Sequence, residues 1–335
     1  MPVLNEVGYV ESAVRTILSQ DYAGEKELIL ALGPSTDGTD ELIERLAEDD
    51  SRIRWVRNPE VDIPVGLNRA IRASTHPIIV RVDAHSELEP GYTMAAVATL
   101  ERTGAVNVGG VMLARGKTPF QAAVARAYNS KFGLGGARYH GGAIAGPAES
   151  AYLGVFRREV LESVGLFDES IRRGEDWELN LRIRAAGHLV WFDPALEVTY
   201  WPREQWPKLV RQFFATGVWR GELVRRYGGR NPWRFFVPPM LVLVVALSIV
   251  VAVLQSTRLI SGWPSAILGL VYLGPIAYLL LVLWVSLTQD HVPRWKDRWL
   301  FLVVLPTMHL SWGAGFLFAL LRGASTVTDT SRTGI

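Results

Sequence analysis

Three long apolar runs occupy the C-terminal third of the chain and limit what it can fold into. They cover residues 236–254, 265–287 and 299–321, and none contains Lys, Arg, Asp or Glu. Each is about 19 to 23 residues long, and a helix needs about 20 apolar residues to cross the hydrocarbon core of a bilayer. We therefore predict three transmembrane helices over 236–321. The alternative is a set of core helices buried in a large soluble protein.

The charge pattern around these runs predicts their orientation. Between residues 203 and 234 the chain carries eight Arg or Lys and two Glu. Positive charge next to a span favours the cytoplasmic side, so we expect a multi-pass protein whose N-terminal domain is cytoplasmic. Segment 203–235 is predicted to be a basic amphipathic segment at the membrane interface, in which residues 205–220 form an amphipathic helix on membrane lipids. Residues 322–335 are predicted to be a polar tail. Arg outnumbers Lys, as in GC-rich bacterial genomes, which favours a bacterial plasma membrane.

Composition excludes several classes of function. The net charge of +2 does not favour a nucleic-acid partner. The chain has no cysteine, which excludes a disulfide framework, a thiol nucleophile and a cysteine-based metal site.

Residues 1–202 alternate between strand and helix patterns. We predict strands over 27–31, 53–56 and 77–82, and helices over 40–48 and 64–74. This alternation predicts an α/β domain with a mostly parallel sheet, in which ligands bind at the carboxyl ends of the strands. Residues 2–6 look like the loop after a first strand, although almost nothing precedes them. We therefore expect either an upstream start or a domain that lacks part of this strand.

Six short motifs follow one another along this domain. They are PVLNE (2–6), STDGT (35–39), GLNRAI (66–71), RVDAH (81–85), VGLFDE (164–169) and GEDWELNLRIRAAG (174–187). Their order and spacing resemble the family 2 inverting glycosyltransferases with the GT-A fold, and within them the succinoglycan-type, ExoA-like branch. The resemblance covers about residues 1 to 220 and implies a Rossmann-like GT-A domain that binds a nucleotide sugar.

The triplet Asp83-Ala84-His85 is the candidate metal and donor site. A carboxylate and a second hard ligand can hold Mg²⁺ or Mn²⁺ against a diphosphate. The family pattern is Asp-x-Asp, and His85 replaces the second Asp, as in ExoA-like members. The resemblance thus implies Asp83 and His85 as metal ligands. The alternative is a plain turn with a surface histidine.

The pair Glu175-Asp176 is the candidate catalytic site. Inverting transfer needs a base that takes the proton of the acceptor hydroxyl. The resemblance gives this role to Asp176, with Glu175 beside it. Acidic residues also favour the N-terminus of a helix, and both roles are compatible.

Other site residues come from the resemblance alone. It implies nucleotide-sugar contacts by Asp83 and Ala84 and by five further residues: Pro2, Val3, Glu6, Leu32 and Asn68. The family usually has an Asp at position 32, where it contacts the base, so Leu32 is a departure. We expect a UDP-sugar donor.

The segment before the spans contains candidate acceptor contacts. Arg211, Trp219 and Arg220 are candidates for holding an acceptor or donor diphosphate, and a solvated basic face is the alternative. Processive relatives carry Gln-x-x-Arg-Trp in this region, whereas here Gln212 is followed by Trp219 and Arg220. This departure favours transfer of one sugar. The glycine-rich stretch 133–146 is either a mobile loop over the site or a plain loop.

Together these features predict a membrane-anchored inverting glycosyltransferase of cell-surface polysaccharide biosynthesis. Its acceptor is expected to be a glycan linked to polyprenyl diphosphate. Two alternatives remain: a polyprenyl-phosphate sugar synthase, and a non-catalytic membrane subunit that retains the fold.

Overall fold

The computed structural model describes residues 1–134, 144–228, 231–288 and 295–324. Most of the glycine-rich stretch 133–146 and of the predicted tail 322–335 lies outside the described residues. The chain divides into two compact units. The first comprises Met1–Arg115 and Tyr128–Pro202, and the second comprises Gly116–Ala127 and the chain from Arg203 onward.

The first unit is built from alternating strands and helices. Its strands are β1 Pro2–Val3, β2 Leu28–Leu32, β3 Ile53–Arg57, β4 Ile78–Val80, β5 Ser86–Leu88, β6 Asn107–Ala114, β7 Gly146–Pro147, β8 Tyr152–Arg157 and β9 Val190–Tyr200. Its helices are α1 Val10–Leu18, α2 Thr39–Asp49, α3 Ile63–Ala73, α4 Tyr92–Thr103, α6 Arg158–Ser163 and α7 Glu175–Ala185. Helix α5, Pro119–Asn129, crosses the boundary between the units.

Strands β1, β2 and β3 form a parallel sheet in that order. Strand β2 is apolar and buried throughout, because α3 packs on it and the main core cluster includes Leu28, Leu30 and Leu32. Strand β1 pairs with only the last two residues of β2. A cavity of about 400 Å³ lies beside the part of β2 that pairs with β3 but not with β1. It is lined by Leu28, Ile29 and the residues of β4.

The remaining strands form a mixed sheet in the order β4-β8-β6-β9-β5, with β7 beside β9. Among the described strands of this sheet, β6 and β9 run parallel, and the other neighbouring pairs are antiparallel. The α/β architecture and the parallel sheet are as predicted. The antiparallel pairs were not predicted. Strand β4, predicted over 77–82 as part of the parallel sheet, instead pairs antiparallel with β8, and the other strands of this sheet follow residue 82, where the regular alternation of strand and helix patterns ends.

The second unit is helical. Its long helices are α8 Trp206–Tyr227, α9 Val237–Ser256, α10 Gly262–Gly269, α11 Leu273–Thr288 and α12 Trp295–Arg322. Within the described residues, three stretches are long and apolar enough to cross a membrane: Trp233–Ser256, Gly262–Thr288 and Arg298–Arg322. The three apolar helices predicted from the sequence are confirmed, each with slightly wider bounds.

The second of these stretches is not a single regular helix. A 3₁₀ turn over Leu270–Tyr272 separates α10 from α11. Pro275 has no N–H, so the carbonyl of Val271, four residues earlier, loses its helical partner. The hydroxyl of Ser248 on α9 donates to that carbonyl at 3.3 Å. A backbone N–H at the end of the 3₁₀ turn also donates to this carbonyl, so the turn and a neighbouring side chain together satisfy the group that the proline leaves open.

Helix α8 packs closely against α12. A Cβ atom placed on Gly217 would lie 1.9 Å from the carbonyl oxygen of Trp312, and one on Gly221 would lie 2.7 Å from that of Phe316. The apolar side of α8, with Leu209 and Phe213, is buried. The segment predicted to lie on the membrane surface thus contains a long helix whose glycines touch the backbone of an apolar helix.

Candidate active site

The triplet Asp83-Ala84-His85 lies in a tight turn between β4 and β5. The backbone N–H of Ser86 donates to the carbonyl of Asp83 at 2.9 Å and closes this turn. Ala84 is buried, and the side chains of Asp83 and His85 are 13% and 4% exposed. Strand β4 ends at Val80, so the triplet follows it after a short extended segment. The turn keeps the Asp83 carboxylate partly accessible while the imidazole is enclosed.

The pair Glu175-Asp176 forms the first turn of α7. Gly174 precedes the helix with φ of 82°, a left-handed conformation that glycine adopts without strain. A carboxylate oxygen of Asp176 accepts the backbone N–H of Trp177 at 2.7 Å. Glu175 is buried and Asp176 is half-buried. The predicted base is therefore the more accessible of the two carboxylates.

Two asparagines hold the start of α7 in place. The side-chain amide of Asn180 donates to the backbone carbonyl of Asp176 at 2.8 Å. The Asn107 amide on β6 donates to the side-chain oxygen of Asn180 at 2.6 Å. Both asparagines are fully buried, where an unsatisfied amide would be costly. The mixed sheet therefore fixes the position of Asp176.

Arg81 joins the two carboxylate clusters. Its Nη2 atom lies 2.8 Å from Oε1 of Glu175 and 3.4 Å from Oδ1 of Asp83. The Arg81 side chain is only 8% exposed. The two clusters stand about 90 residues apart in the sequence, and this guanidinium brings them to one place. Arg81 was missed in the sequence analysis, although a charge inside the apolar run PIIVRV is a signal that could have found it.

Burial and charge have opposite effects on Glu175. Burial raises the pKa of its carboxyl, the nearby Arg81 guanidinium lowers it, and the charge of Asp176 raises it; the net shift is upward. Burial acts to lower the pKa of Arg81. The charges of the nearby carboxylates, of which Asp83 has the largest effect, outweigh burial and raise this pKa, so the guanidinium stays charged. A charged arginine thus faces a carboxyl that is costly to ionise.

His85 is enclosed by an acid and by aromatic rings. Its Nδ1 atom lies 3.2 Å from Oε1 of Glu6, which is also buried. Its ring meets that of Tyr200 in an edge-to-face arrangement, with centroids 5.2 Å apart, and the ring of Tyr128 stacks on that of Tyr200. The resemblance implied that Glu6 contacts the nucleotide sugar. In the structure its carboxylate lies against the imidazole of His85.

The motif STDGT holds the loop that carries Glu6. The hydroxyl of Thr39 accepts the backbone N–H of Glu6 at 2.9 Å, and the carboxylate of Asp37 accepts that of Val7 at 3.2 Å. In return the side chain of Asn5 accepts the backbone N–H of Thr36 at 2.8 Å. The turn before α2 thereby sets the position of Glu6 relative to His85.

Four other predicted donor contacts, Pro2, Val3, Leu32 and Asn68, lie in β1, β2 and α3. Pro2 and Val3 form β1 and pair with Ala31 and Leu32. Leu32 is 1% exposed and packs in the main core cluster, so an apolar side chain suits this position in the present chain. Asn68 is buried and clamps another segment: its amide donates to the carbonyl of Phe167 at 2.9 Å and accepts the Phe167 N–H at 3.0 Å.

The candidate acceptor residues belong to α8 in the second unit. Arg211 is exposed, whereas Trp219 is buried. The guanidinium of Arg220 lies over the ring of Phe235, 4.8 Å from its centroid. For Arg220 the structure therefore favours a packed position rather than a solvated basic face.

The described residues contain no group of three or more His, Cys, Asp or Glu side chains able to hold a metal ion. Asp83 and His85 supply at most one carboxylate and one imidazole. Mg²⁺ and Mn²⁺ sites in phosphoryl and diphosphate enzymes often use only one or two protein ligands and complete the shell with substrate phosphate and water. These two residues fit a site of that kind.

The architecture matches a known fold. A mannosyltransferase from Pyrobaculum calidifontis, PcManGT, solved in complex with GDP-Man and Mn²⁺, superposes with a TM-score of 0.60 at 19% identity, covering 96% of this chain and 85% of that one. The fold is therefore the GT-A fold of glycosyltransferases, as the motifs predicted.

Sequence comparison assigns the family. The model of "Glycosyl transferase family 2" matches residues 1–165. The succinoglycan biosynthesis protein ExoA of Rhizobium meliloti (strain 1021) is 30% identical over 325 residues, which is 96% of this chain and 94% of that protein. The chain belongs to glycosyltransferase family 2 and is similar to ExoA over nearly its whole length.

A more distant relative is archaeal. A Methanococcus voltae enzyme named as a dolichyl N-acetyl-alpha-D-glucosaminyl phosphate 3-beta-D-2,3-diacetamido-2,3-dideoxy-beta-D-glucuronosyltransferase is 23% identical over 260 residues, covering 75% of this chain and 80% of that protein.

Proposed function

We propose that this protein is a membrane-anchored inverting glycosyltransferase that moves one sugar from a nucleotide sugar to a lipid-linked glycan. The observation that carries the proposal is the meeting of Asp83 and Glu175 on one guanidinium, that of Arg81. The anomeric carbon must lie between the donor diphosphate, which Asp83 is proposed to hold through the metal ion, and the base next to Glu175. This contact brings the two carboxylate clusters together.

Asp176 is the proposed base. Its carboxylate is half-buried at the start of α7, while Glu175 is occupied by Arg81. A base must take the acceptor proton as the hydroxyl attacks the anomeric carbon from the side opposite the leaving diphosphate. Direct displacement of this kind inverts the anomeric centre. The hydrogen bonds from Asn180 and Asn107 hold the start of the helix in one position, so that the carboxylate is pre-oriented.

Asp83 and His85 are the proposed ligands of Mn²⁺ or Mg²⁺. The ion, when bound, neutralises charge on the diphosphate of the donor. The enclosed imidazole of His85 is oriented by Glu6 and Tyr200, in the way that residues behind a metal ligand fix its ring. We therefore propose that Glu6 acts through His85. Pro2, Val3, Ala84, Leu32 and Asn68 remain predicted donor contacts.

The proposed donor is a UDP-sugar and the proposed acceptor a glycan on polyprenyl diphosphate at a bacterial plasma membrane. The similarity to ExoA supports a role in polysaccharide synthesis, and the name of the archaeal relative supports a lipid-linked acceptor. The basic segment before the first apolar helix supports a cytoplasmic first unit. Arg211, Trp219 and Arg220 on α8 remain proposed contacts of the acceptor.

The test is transfer by the purified protein in lipid nanodiscs. The protein is incubated with Mn²⁺, a panel of UDP-, GDP- and dTDP-sugars, and lipid extracts, and products are read by mass spectrometry and anomeric NMR. An added sugar of inverted configuration on a diphosphate-linked glycan is expected. A sugar placed directly on lipid monophosphate would instead identify a polyprenyl-phosphate sugar synthase. If the protein shows no transfer and no donor hydrolysis with any of the sugars, it is a non-catalytic subunit.

A further inference from the structure

The unexplained feature of the first unit is the buried cation at position 81. Arg81 extends from the short segment between β4 and Asp83, where the neighbouring residues Val80 and Val82 are apolar. Burying a charge is costly unless it is paired, so the presence of a buried arginine at this position needs an explanation. Within the described part of the chain, Nε and Nη1 of Arg81 have no hydrogen-bond partner. The hydrogen bonds of its guanidinium go from Nη2 to Glu175 and Asp83.

The guanidinium of Arg81 also contacts an aromatic ring. Its central carbon lies 5.7 Å from the centroid of the Phe167 ring, within the range of a cation–π contact. Phe167 in turn is held at both its backbone N–H and its carbonyl by the side chain of Asn68. A rigid chain of contacts therefore runs from α3 through Phe167 to Arg81.

The two carboxylates that Arg81 contacts belong to different parts of the proposed reaction. Asp83 stands on the donor side, after β4. Glu175 is the direct neighbour of Asp176 at the start of α7. A cation between them sets how far the donor carboxylate lies from the base, because each partner is held at hydrogen-bond distance. Misplacement of a reacting group by about 1 Å can cost about 10²-fold in rate.

We propose that Arg81 is a positioning residue that sets the separation between Asp83 and the base Asp176 by holding Glu175. This inference rests on the proposed function. It gives Glu175 the role of an anchor and leaves Asp176 as the acceptor-facing carboxylate. It also explains Asn68 as the support of this arrangement through Phe167.

A purely structural ion pair is the competing explanation, and an apolar replacement separates the two. Buried ion pairs can often be replaced by apolar side chains of similar volume without loss of stability. The double variant Arg81→Met/Glu175→Leu is therefore expected to fold, with a melting temperature near that of the wild type. If Arg81 positions the two carboxylates, kcat stays reduced by about 10²-fold even though stability is restored.

The matched control is a second ion pair on the same helix. Glu178 is buried one turn after Glu175 and contacts Arg182 at 2.7 Å. Arg182→Met/Glu178→Leu removes a second arginine–glutamate pair from α7, together with the hydrogen bonds from Arg182 to the carbonyls of Val164 and Leu166. It is expected to leave kcat within about threefold of the wild type, so a large effect of the Arg81 double variant cannot come from loss of any ion pair on this helix.

The experiment measures kcat, donor KM, melting temperature and binding of Mn²⁺ with nucleoside diphosphate by calorimetry for the full-length protein. Arg81→Lys keeps the charge but not the planar fork, and it is expected to lower kcat about tenfold or more with little change in KM or nucleotide binding. Recovery of kcat together with melting temperature in the Arg81→Met/Glu175→Leu variant would overturn the inference, as would wild-type kcat in Arg81→Lys. Absence of transfer by the wild type would instead contradict the proposed function, and the inference with it.

Discussion

The two units of this molecule use burial in opposite ways. The first unit buries charge: Arg81, Glu175, Glu6 and His85 are all less than a tenth exposed and contact one another in pairs. The second unit brings backbones together through glycine, as where Gly217 of α8 meets the carbonyl of Trp312. A buried ion pair seldom adds stability beyond that of apolar side chains of similar volume, which agrees with the role in chemistry proposed for these residues. Close glycine contacts let helix backbones pack together, as in helices that associate within membranes.

This contrast makes a general prediction about variants. Changes to buried charges of the first unit should reduce activity more than stability. Changes to the glycines of the second unit should reduce stability directly.

The largest effect is expected for Asp83→Ala. Without this carboxylate the charge of the leaving diphosphate is not compensated, so turnover should fall below detection and nucleotide binding with Mn²⁺ should weaken. Transfer assays and calorimetry measure both, and the melting temperature reports whether the fold is kept. Full turnover in EDTA would contradict the metal-dependent role of Asp83.

Asp176→Asn should separate chemistry from binding. The amide is nearly the same size and keeps the packing, but it cannot take the proton of the acceptor. Turnover should fall by about 10²- to 10⁴-fold, while donor affinity changes little. Product formation and nucleotide-sugar binding are measured separately. If the variant keeps more than about a tenth of wild-type turnover, the base lies elsewhere, and Glu175 is the first alternative.

Gly217→Ala tests the other side of the comparison. The added methyl group would lie 1.9 Å from the carbonyl oxygen of Trp312, so α8 must move away from α12. Overpacking of this kind costs about 1 to 3 kcal/mol, which lowers the thermal unfolding temperature in detergent.

The control for this variant is Gly269→Ala in α10. There the nearest atom to an added Cβ, on Gln255, is 3.7 Å away, an ordinary contact, and alanine favours a helix more than glycine does. No loss of stability is expected. Equal melting temperatures for the two variants would show that the close approach of α8 to α12 does not contribute to stability.

The smallest effect is expected for Glu27, a charged residue of the first unit that has no role in the proposed reaction. The carboxylate of Glu27 accepts hydrogen bonds from the hydroxyl of Thr75 at 2.9 Å and from the backbone N–H of His76 at 3.3 Å. Burial acts to raise the pKa of Glu27, but these and the backbone bond from Thr75 outweigh burial and lower the pKa below its ordinary value of 4.5. Its contribution to stability is therefore present above pH 4.5 and is lost as the pH falls through the lower folded-state pKa.

Glu27→Gln should remove this acid-dependent contribution. The difference in melting temperature between wild type and variant should be largest near neutral pH and should shrink as the pH falls below 4.5, while turnover at neutral pH stays close to wild type. Glu101→Gln, on an exposed part of α4, is the control for loss of one negative charge. A constant difference at all pH values would contradict the hydrogen-bonded role of Glu27.

Much of the local structure could be predicted from the sequence. The apolar periods placed β2, β3, α2 and α3 to within about two residues, because each of these elements buries one face or the whole of its length in the core. The length and composition of the three apolar runs predicted the three apolar helices. The motifs specified the family, since six of them in one order carry more information than any single residue pair.

The candidate site could be predicted only in part. Asp83 and Glu175-Asp176 were found because carboxylates after a strand and at a helix start are visible in the sequence. The distance between these two clusters could not be predicted from the sequence, and neither could the contact that joins them through Arg81. The role of STDGT as a clamp on Asn5 and Glu6 was also missed, because hydrogen bonds between segments 30 residues apart leave no local pattern.

The sequence by itself determined the elements, the apolar spans and the residue types available for chemistry, because propensity and hydrophobic period act over short distances. Only the tertiary structure decided which charges meet. The pairing of Arg81 with Glu175, and of Glu6 with His85, depends on how β4, β5 and α7 are placed by the two sheets. Such contacts are set by packing between segments distant in the chain, where the cost of burying a charge is met by one particular partner.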